Sequence, residues 1–173
     1  NSWDTVTNQN YSDTYFSYMQ MQDKYRREFS KGLDKAGREQ ATDSIDVFFS
    51  SYVEENYNRL IEFTKMMKEL LESGQKVAIT IKGFTSPLNT VEYNNNLAKR
   101  RISSLVNYFA EYENGVFRQY IESGQIEYKF VAFGKTMAAA NVSDDRSDQR
   151  NSVYNPAAAR ERRIEIIAVE IER

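Results

Sequence analysis

Residues 76–109 read KVAITIKGFTSPLNTVEYNNNLAKRRISSLVNYF, and this stretch predicts a strand, a loop and a helix in succession. Over residues 76–82 apolar and polar side chains alternate, which is typical of a half-buried strand. Residues 83–89 contain glycine and proline, which interrupt a β-ladder, and they are predicted as a loop. The helix is expected to begin after Thr90, which can cap it, and to run to about Glu113.

Upstream of this stretch, a second and longer helix is predicted. Apolar residues recur every three or four positions over residues 45–71, which is the spacing of one helical face. Asp43 or Ser44 can cap its start, and Gly74 is a common stop signal. Residues 45–49 also fit a short strand, so the first turn has two interpretations.

Still further upstream lies a polar arm of ten residues, followed by an aromatic stripe. The stripe is spaced by four and three residues in turn, which predicts one helix over residues 11–31. It either packs against the domain with its hydroxyls at solvent or forms an aromatic platform for a ligand. Its members are Tyr11, Tyr15, Tyr18, Gln22, Tyr25 and Phe29.

Downstream of the central stretch, a short helix over residues 116–121 precedes a strand over residues 126–133. A long polar loop over residues 134–156 and a last strand over residues 163–170 complete the chain. Strand, helix, strand, helix and strand in this order predict an α/β fold. We expect helices to cover at least one face of the sheet.

Composition excludes several classes of function. The chain of 173 residues has no cysteine and no histidine, so it lacks thiolate nucleophiles, imidazole bases and the usual zinc ligands. Its formal net charge of −2 argues against nonspecific binding of nucleic acid, which depends on clustered cations. No apolar run is long enough for a transmembrane segment. The sequence predicts no metal and no cofactor.

One arginine of the predicted central helix points toward the body of the protein. On a helical wheel with Leu97 at the origin, Arg101 falls at about 40°, within the apolar sector of Leu105, Phe109 and Ile102 at about 80–140°. Arg100 points away from that sector, toward solvent. An inward arginine requires an anion or other acceptors. That anion is either an internal acid, the commoner case, or a ligand carboxylate.

A second basic cluster, Arg160, Arg162 and Arg163, lies at the start of the last strand. It would approach the same place as Arg101 if this strand lies beside the first strand. The alternative is that these residues form a solvated strand end.

The same residues resemble the OmpA C-terminal-like domain family, which recognises peptidoglycan. The family pattern is a strand ending in Gly-His-Thr-Asp, a helix opening with Asn-x-x-Leu-Ser-x-x-Arg-Ala, and a terminal Asn-Arg-Arg-Val/Ile strand. The resemblance covers roughly residues 45–172. The matching positions in this chain are Gly83, Phe84, Thr85, Ser86, Asn94, Leu97, Ala98, Arg101 and Ile102, followed by Glu161, Arg162, Arg163 and Ile164.

The resemblance implies a two-layer sandwich of the OmpA C-terminal type, in which helices pack on a mixed sheet of three to four strands and the helix over residues 11–31 is an N-terminal addition. It also implies a noncatalytic role. Such a module binds the diaminopimelate residue of the peptidoglycan stem peptide and anchors an outer-membrane or periplasmic assembly to the cell wall. It implies a periplasmic location, with attachment to the outer membrane through the parent protein. The implied ligand-binding residues are Phe84, Thr85, Ser86, Asn94, Leu97, Arg101, Arg162 and Arg163.

Two departures from the family pattern bear on binding. Phe84 replaces the family histidine, and Ser86 replaces the aspartate that faces the diaminopimelate ammonium. A serine hydroxyl supplies no charge, so we expect weaker binding than in a member with aspartate. Glu92 or an acid of the long loop, such as Asp144, could compensate.

The resemblance also divides the chain into residues 1–42, the arm and added helix, and residues 43–173, the family domain. The family's first strand corresponds either to residues 45–49 or to a segment upstream of residue 1, as expected for a domain taken from a longer exported protein. An alternative function is a protein-interaction or scaffold module of an envelope complex whose peptidoglycan cleft is degenerate. An enzyme with paired carboxylates is not predicted, because no two acids are placed together by the pattern.

Overall fold

A computed structural model describes residues 9–84, 91–133, 154–161 and 163–172. Three helices come first and are followed by a π-helical segment, a long helix and an alternation of strands and helices. In chain order the elements are α1 (Tyr11–Met19), α2 (Gln22–Ser30), α3 (Lys35–Val47), the π-helical segment (Phe48–Glu54), α4 (Glu55–Glu72), β1 (Lys76–Phe84), α5 (Val91–Glu111), a 3₁₀ turn (Tyr112–Asn114), α6 (Arg118–Glu122), β2 (Ile126–Phe133), α7 (Pro156–Glu161) and β3 (Ile164–Glu172).

The described strands form one mixed sheet in the order β2–β1–β3. β1 runs parallel to β2, with Val77 opposite Ile126. It runs antiparallel to β3, with Gly83 opposite Ile164. The connection from β1 to β2 passes through α5 and α6, as parallel neighbours require. The α/β class predicted from the sequence is therefore confirmed, with three strands among the described residues.

The main hydrophobic core lies between this sheet and helices α4 and α5. Alternate residues of β1 point into it and are fully buried, which is the consequence of a period of two along a strand. Helix α5 contributes a stripe at helical spacing, and α4 contributes two residues of its last turns. The buried members include Val77, Ile79 and Ile81 of β1, Ile102, Leu105 and Phe109 of α5, and Met67 and Leu71 of α4.

A second core holds the N-terminal helices against the rest of the chain. Tyr25 of α2 is 4% exposed and packs edge-on against Phe49, at 5.4 Å between ring centroids, and against Tyr154, at 5.0 Å. Ile45 and Phe48 are buried in the same cluster. The predicted boundary between residues 42 and 43 falls inside α3, whose buried Ile45 lies in this core.

The aromatic stripe forms two helices, and the prediction of one helix over residues 11–31 is wrong. Helix α1 ends at Met19 and α2 begins at Gln22. Both residues between them have near-helical dihedrals, with φ −70° and ψ −13° at Gln20 and φ −84° and ψ −3° at Met21. The chain therefore turns with little change in the register of the stripe, which explains why the spacing gave no sign of the break.

The long helix begins earlier than its apolar pattern indicated. It starts at Lys35 with Asp34 as its cap, whose side chain accepts a hydrogen bond from the Gly37 amide at 2.8 Å. Asp43 and Ser44 lie inside it, so the predicted start is wrong. Residues 45–49 are helical, which also excludes the strand interpretation of that segment.

The elements around the central stretch agree with the predictions except at Gly83 and Phe84, which were predicted as loop but pair with β2 as the last residues of β1. Strand β2 has the predicted bounds, and β1 and β3 extend the predicted strands by two residues at their C-terminal ends. Helix α5 and the 3₁₀ turn end before Gly115, which has φ +85°. Gly74 ends α4 with φ +90°, a conformation that glycine adopts at little cost.

Burial of tyrosines predicts a loss of stability at alkaline pH. Burial, followed by the nearby Tyr52, Tyr57 and Tyr15, raises the pKa of Tyr11 to about 12, whereas an unfolded tyrosine titrates near pH ~10. Burial also raises the pKa of Tyr128. Both groups stay neutral in the folded chain above the pH at which they ionise in the unfolded chain. The contribution of these tyrosines to the free energy of unfolding is therefore fully present below pH ~10, and it is lost as the pH rises toward about 12.

The Tyr11→Phe variant isolates one of these contributions. We expect it to lose less stability than the parent between pH ~10 and ~12, with a difference of at most about 2–3 kcal/mol. Urea denaturation followed by circular dichroism at both ends of this range measures the difference. Equal losses in the two proteins would contradict the assignment to Tyr11.

Candidate ligand site at the carboxyl end of the first strand

The carboxyl end of β1 packs directly on helix α5 through Gly83. A Cβ atom at this position would lie 2.9 Å from the backbone oxygen of Ala98 and 3.1 Å from the side chain of Ile102. Strand and helix therefore approach so closely that only glycine fits. This contact sets the position of the α5 turn that carries Arg101 relative to the end of the strand.

Arg101 is partly buried on that turn, whereas Arg100 is exposed. The inward and outward orientations predicted for the pair are thus confirmed. Ile102, Leu105 and Phe109, the apolar sector of the helical wheel, are all buried. Arg101 engages a partner within the chain, and its carbonyl accepts a hydrogen bond from the hydroxyl of Ser104 at 2.7 Å.

The start of β3 lies on the other side of the same strand end. Ile164 is opposite Gly83 in the antiparallel register, so Arg163 comes next to the place where β1 ends. The Arg163 guanidinium donates from Nε to Glu165 at 2.8 Å and from Nη1 to the carbonyl of Arg160 at 3.2 Å. The predicted approach of the last strand to the first is confirmed, but Arg163 is already paired with an acid.

Arg160 was predicted to approach the strand end with the rest of the basic cluster, but it stacks on aromatic rings of the second core. Its guanidinium carbon lies 5.3 Å from the ring centroid of Tyr52 and 6.0 Å from that of Phe48. This is cation–π geometry, and it ties α7 to the second core. The basic cluster is therefore divided between the aromatic core and the start of β3.

The sequence prediction missed helix α7, which leads directly into β3. Asn155 caps it by accepting a hydrogen bond from the Ala157 amide at 2.8 Å, and Pro156 is its first residue. Asparagine followed by proline and alanines is a recognised helix start, so a signal was present at the end of the predicted loop. Tyr154 and Ala159 are buried in the second core and fix this approach to the site.

For several predicted site residues the structure describes only the backbone or nothing. The backbone of Phe84 ends β1, and the backbones of Asn94 and Leu97 belong to α5, but the side chains of these three residues are not among the described parts of the chain. Thr85, Ser86 and Arg162 lie outside the described residues altogether, as does Asp144, the loop acid named above as a possible compensation.

Two features of the described residues concern metal binding and membrane spans. Within residues 9–84, 91–133, 154–161 and 163–172, no group of three or more acidic side chains is placed to hold a metal ion. Over the same residues, no helix combines the length and apolar content of a membrane span.

An open cleft of about 300 Å³ lies apart from this site, between α2 and α3. Arg26 lines it, but its Nε is 3.2 Å from Asp46 and its Nη1 is 3.7 Å from Asp23. These carboxylates offset the charge of Arg26, and Arg27 also lines the cleft. None of the site residues predicted from the sequence lines this cleft, so the end of β1 remains the better candidate site.

Comparison with known proteins adds no further constraint. No protein-family model, no curated protein and no solved structure matches this chain.

Proposed function

We propose that this protein is a noncatalytic module of the OmpA C-terminal type that binds peptidoglycan through a diaminopimelate-containing stem peptide. In this role it anchors an outer-membrane or periplasmic assembly to the cell wall. The observation that carries the proposal is the position of Arg101 on the α5 turn that packs against the end of β1 through Gly83. The family clamp requires an arginine on the helix beside that strand end.

The chemistry of the ligand fits this arrangement. Diaminopimelate carries an ammonium and a carboxylate on its side chain. The planar guanidinium of Arg101 can bind a carboxylate through two parallel hydrogen bonds. The hydroxyl of Ser86 can accept a hydrogen bond from the ammonium in place of the family aspartate, and Thr85 and Asn94 match the other polar positions of the family motif.

Two features favour modest affinity. Arg101 already engages a partner within the chain, so a ligand carboxylate must share or replace that interaction. Ser86 offers the ammonium a neutral acceptor, and a neutral hydrogen bond is about half as strong as a charge-assisted one. The module therefore suits an anchor that gains its strength when one assembly carries several copies, each bound to a stem peptide.

A second candidate function is an interaction or scaffold module in an envelope complex. The observation in its favour is exposed apolar surface outside the site, such as Phe16 of α1, which is 58% exposed beside Tyr15 and Tyr57. Exposed aromatic residues are common anchors of protein interfaces.

Co-sedimentation with purified sacculi tests the proposed function. We expect the parent protein to pellet with sacculi, and the Arg101→Ala variant to bind at least about tenfold more weakly, a loss of about 1.4 kcal/mol. Arg100→Ala is the matched control, because it removes the same charge from an exposed position of the same helix. It should bind as the parent does.

Two outcomes would contradict the proposal. Equal sedimentation of the parent and Arg101→Ala would show that Arg101 does not bind the ligand. Sedimentation of the parent no greater than that of an unrelated control protein would show that peptidoglycan is not the ligand. Absence of wall binding together with a tight protein partner contacted through α1 would favour the scaffold function instead.

A further inference from the structure

Strand β3 is an edge strand with exposed aliphatic side chains. It pairs with β1 on one side, and no strand among the described residues lies on its other side. Ile167 is 49% exposed, Val169 is 36% exposed and Ile171 is 48% exposed. A long edge strand with exposed apolar side chains is a template for pairing with another extended chain.

The regular part of this edge is the segment over residues 168–172. Ala168 is opposite Thr80, but the next paired residue of β3 is Ile166, opposite Ile81, so Ile167 forms a bulge. Beyond the bulge, Val169 and Ile171 are opposite Ile79 and Val77, which are fully buried.

Alternate residues of that segment therefore differ in chemistry. Val169 and Ile171 share the core face of the sheet, while Glu170 and Glu172 are directed to the opposite face, because neighbouring strand residues alternate. The edge thus presents aliphatic side chains on one face and carboxylates on the other.

The charged residues on the outer face of the sheet differ from strand to strand. Lys76 and Lys82 of β1 are directly opposite Glu172 and Glu165 of β3. Lys129 of β2 also lies near the edge strand, with its Nζ 3.7 Å from Glu170. The charged residues of β3 are thus all acidic, whereas β1 carries lysines and β2, the opposite edge strand, carries both Lys129 and Glu127. Because opposite charges on adjacent strands stabilise a sheet, a further strand beside β3 should be basic on this face.

We propose that residues 168–172 bind an extended segment of a partner protein as an added strand, with aliphatic residues alternating with lysine or arginine. Main-chain hydrogen bonds to the side of β3 away from β1, which no described strand occupies, supply part of the affinity, as in other cases of strand addition. The aliphatic residues of the partner cover Val169 and Ile171 on the core face. Its basic residues pair with Glu170 and Glu172 on the outer face.

A second copy of this chain is a poorer occupant than such a partner. Pairing of two β3 strands would place Glu165, Glu170 and Glu172 of both copies on one continuous face. Like charges on adjacent strands destabilise a sheet, and the described lysines of that face lie on β1 and β2 and not on β3. The charge pattern therefore selects a basic segment.

Fluorescence anisotropy with synthetic peptides tests this proposal on the whole chain. A labelled peptide of alternating valine and lysine should bind, and a peptide of alternating valine and glutamate should bind at least about tenfold more weakly. A valine–lysine peptide methylated at alternate backbone nitrogens should also bind at least about tenfold more weakly, because it cannot complete the ladder. Equal binding of all three would overturn the proposal.

Variants of the edge strand locate the binding. Ile171→Lys should weaken the valine–lysine peptide at least about tenfold, because it puts a like charge in the docking segment. Val47→Lys is the matched control, an exposed valine of α3 that is 55% exposed, and it should bind as the parent does. Circular dichroism verifies that both variants fold. Unchanged binding by Ile171→Lys, or a dimer of the free chain that this substitution disrupts, would overturn the proposal.

Discussion

Replacement of Phe49 by alanine is expected to lower the free energy of unfolding by about 3–5 kcal/mol. Phe49 is fully buried and contacts the rings of Tyr18, Tyr25 and Phe48, with centroid distances of 5.3–5.4 Å. Truncation removes these contacts and leaves a cavity that surrounding helices fill only in part. Because Tyr25 also packs on Tyr154, the loss extends to the segment that leads into α7.

Chemical denaturation followed by circular dichroism measures this loss. Phe16→Ala is the control, since Phe16 is 58% exposed on α1 and its truncation should cost less than about 1 kcal/mol. Similar values for the two variants would contradict the assignment of Phe49 to a packed core. They would indicate that the N-terminal helices contribute little to folding stability.

The Gly83→Ala substitution is expected to cost about 2–3 kcal/mol of folding stability and to weaken the ligand site. The added Cβ would meet the Ala98 carbonyl oxygen at 2.9 Å, and a backbone atom of a helix cannot move alone. Helix α5 must shift away from β1, and Arg101 moves with it. Stability and stem-peptide binding should therefore decrease together.

Thr80→Val is the control for Gly83→Ala. Thr80 is on the same strand and is partly exposed, so its replacement should change stability by only about 0.5 kcal/mol. Denaturation and sacculus co-sedimentation are measured on both variants. If Gly83→Ala retains full stability and binding, the close contact between strand and helix does not position the site.

Local sequence pattern was sufficient to predict the elements that form the sheet and its helices. Alternation over residues 76–82 and 126–133 and the glycines that end α4 and follow α5 are short-range signals. The burial of Ile102, Leu105 and Phe109 follows from spacing alone. The orientation of Arg101 was predictable for the same reason, because a helical wheel depends only on neighbouring residues.

The N-terminal helices were harder to predict, because their limits depend on weak or competing signals. The turn at Gln20 and Met21 keeps near-helical dihedrals, so the aromatic spacing continues across it. Helix α3 begins in the polar residues 35–40, which have almost no apolar periodicity. Asp34 is a local signal for the helix start, but the prediction followed the apolar pattern, which begins ten residues later at about Ile45.

The π-helical segment, Phe48–Glu54, also has no simple sequence signature. Ile45 and Phe49, at its start, are buried in the second core, whereas Met67 and Leu71 of α4 are buried in the main core. A wider helical turn between them changes the face that the helix presents. Such a change depends on the two cores and not on local propensity.

The partners of the basic residues could not be predicted from local pattern. The pairing of Arg163 with Glu165 and the stacking of Arg160 on Tyr52 and Phe48 depend on tertiary packing. The register that brings Ile164 beside Gly83 joins residues far apart in the chain. Sequence therefore indicated which residues carry charge, while the fold determined which of them share the strand end.

The central claim is that Arg101 binds the carboxylate of a diaminopimelate stem peptide at the end of β1. The most direct measurement is a thermodynamic cycle by isothermal titration calorimetry. It combines the parent and Arg101→Ala with two stem tripeptides, one with a free diaminopimelate side-chain carboxylate and one with that group amidated. The cycle isolates the energy of the pair, because each change removes one partner.

We expect amidation to weaken binding to the parent at least about tenfold, or about 1.4 kcal/mol, and to have almost no effect on binding to Arg101→Ala. That result would assign the carboxylate to Arg101. Equal effects of amidation on both proteins, or no binding of either peptide to the parent, would contradict the claim.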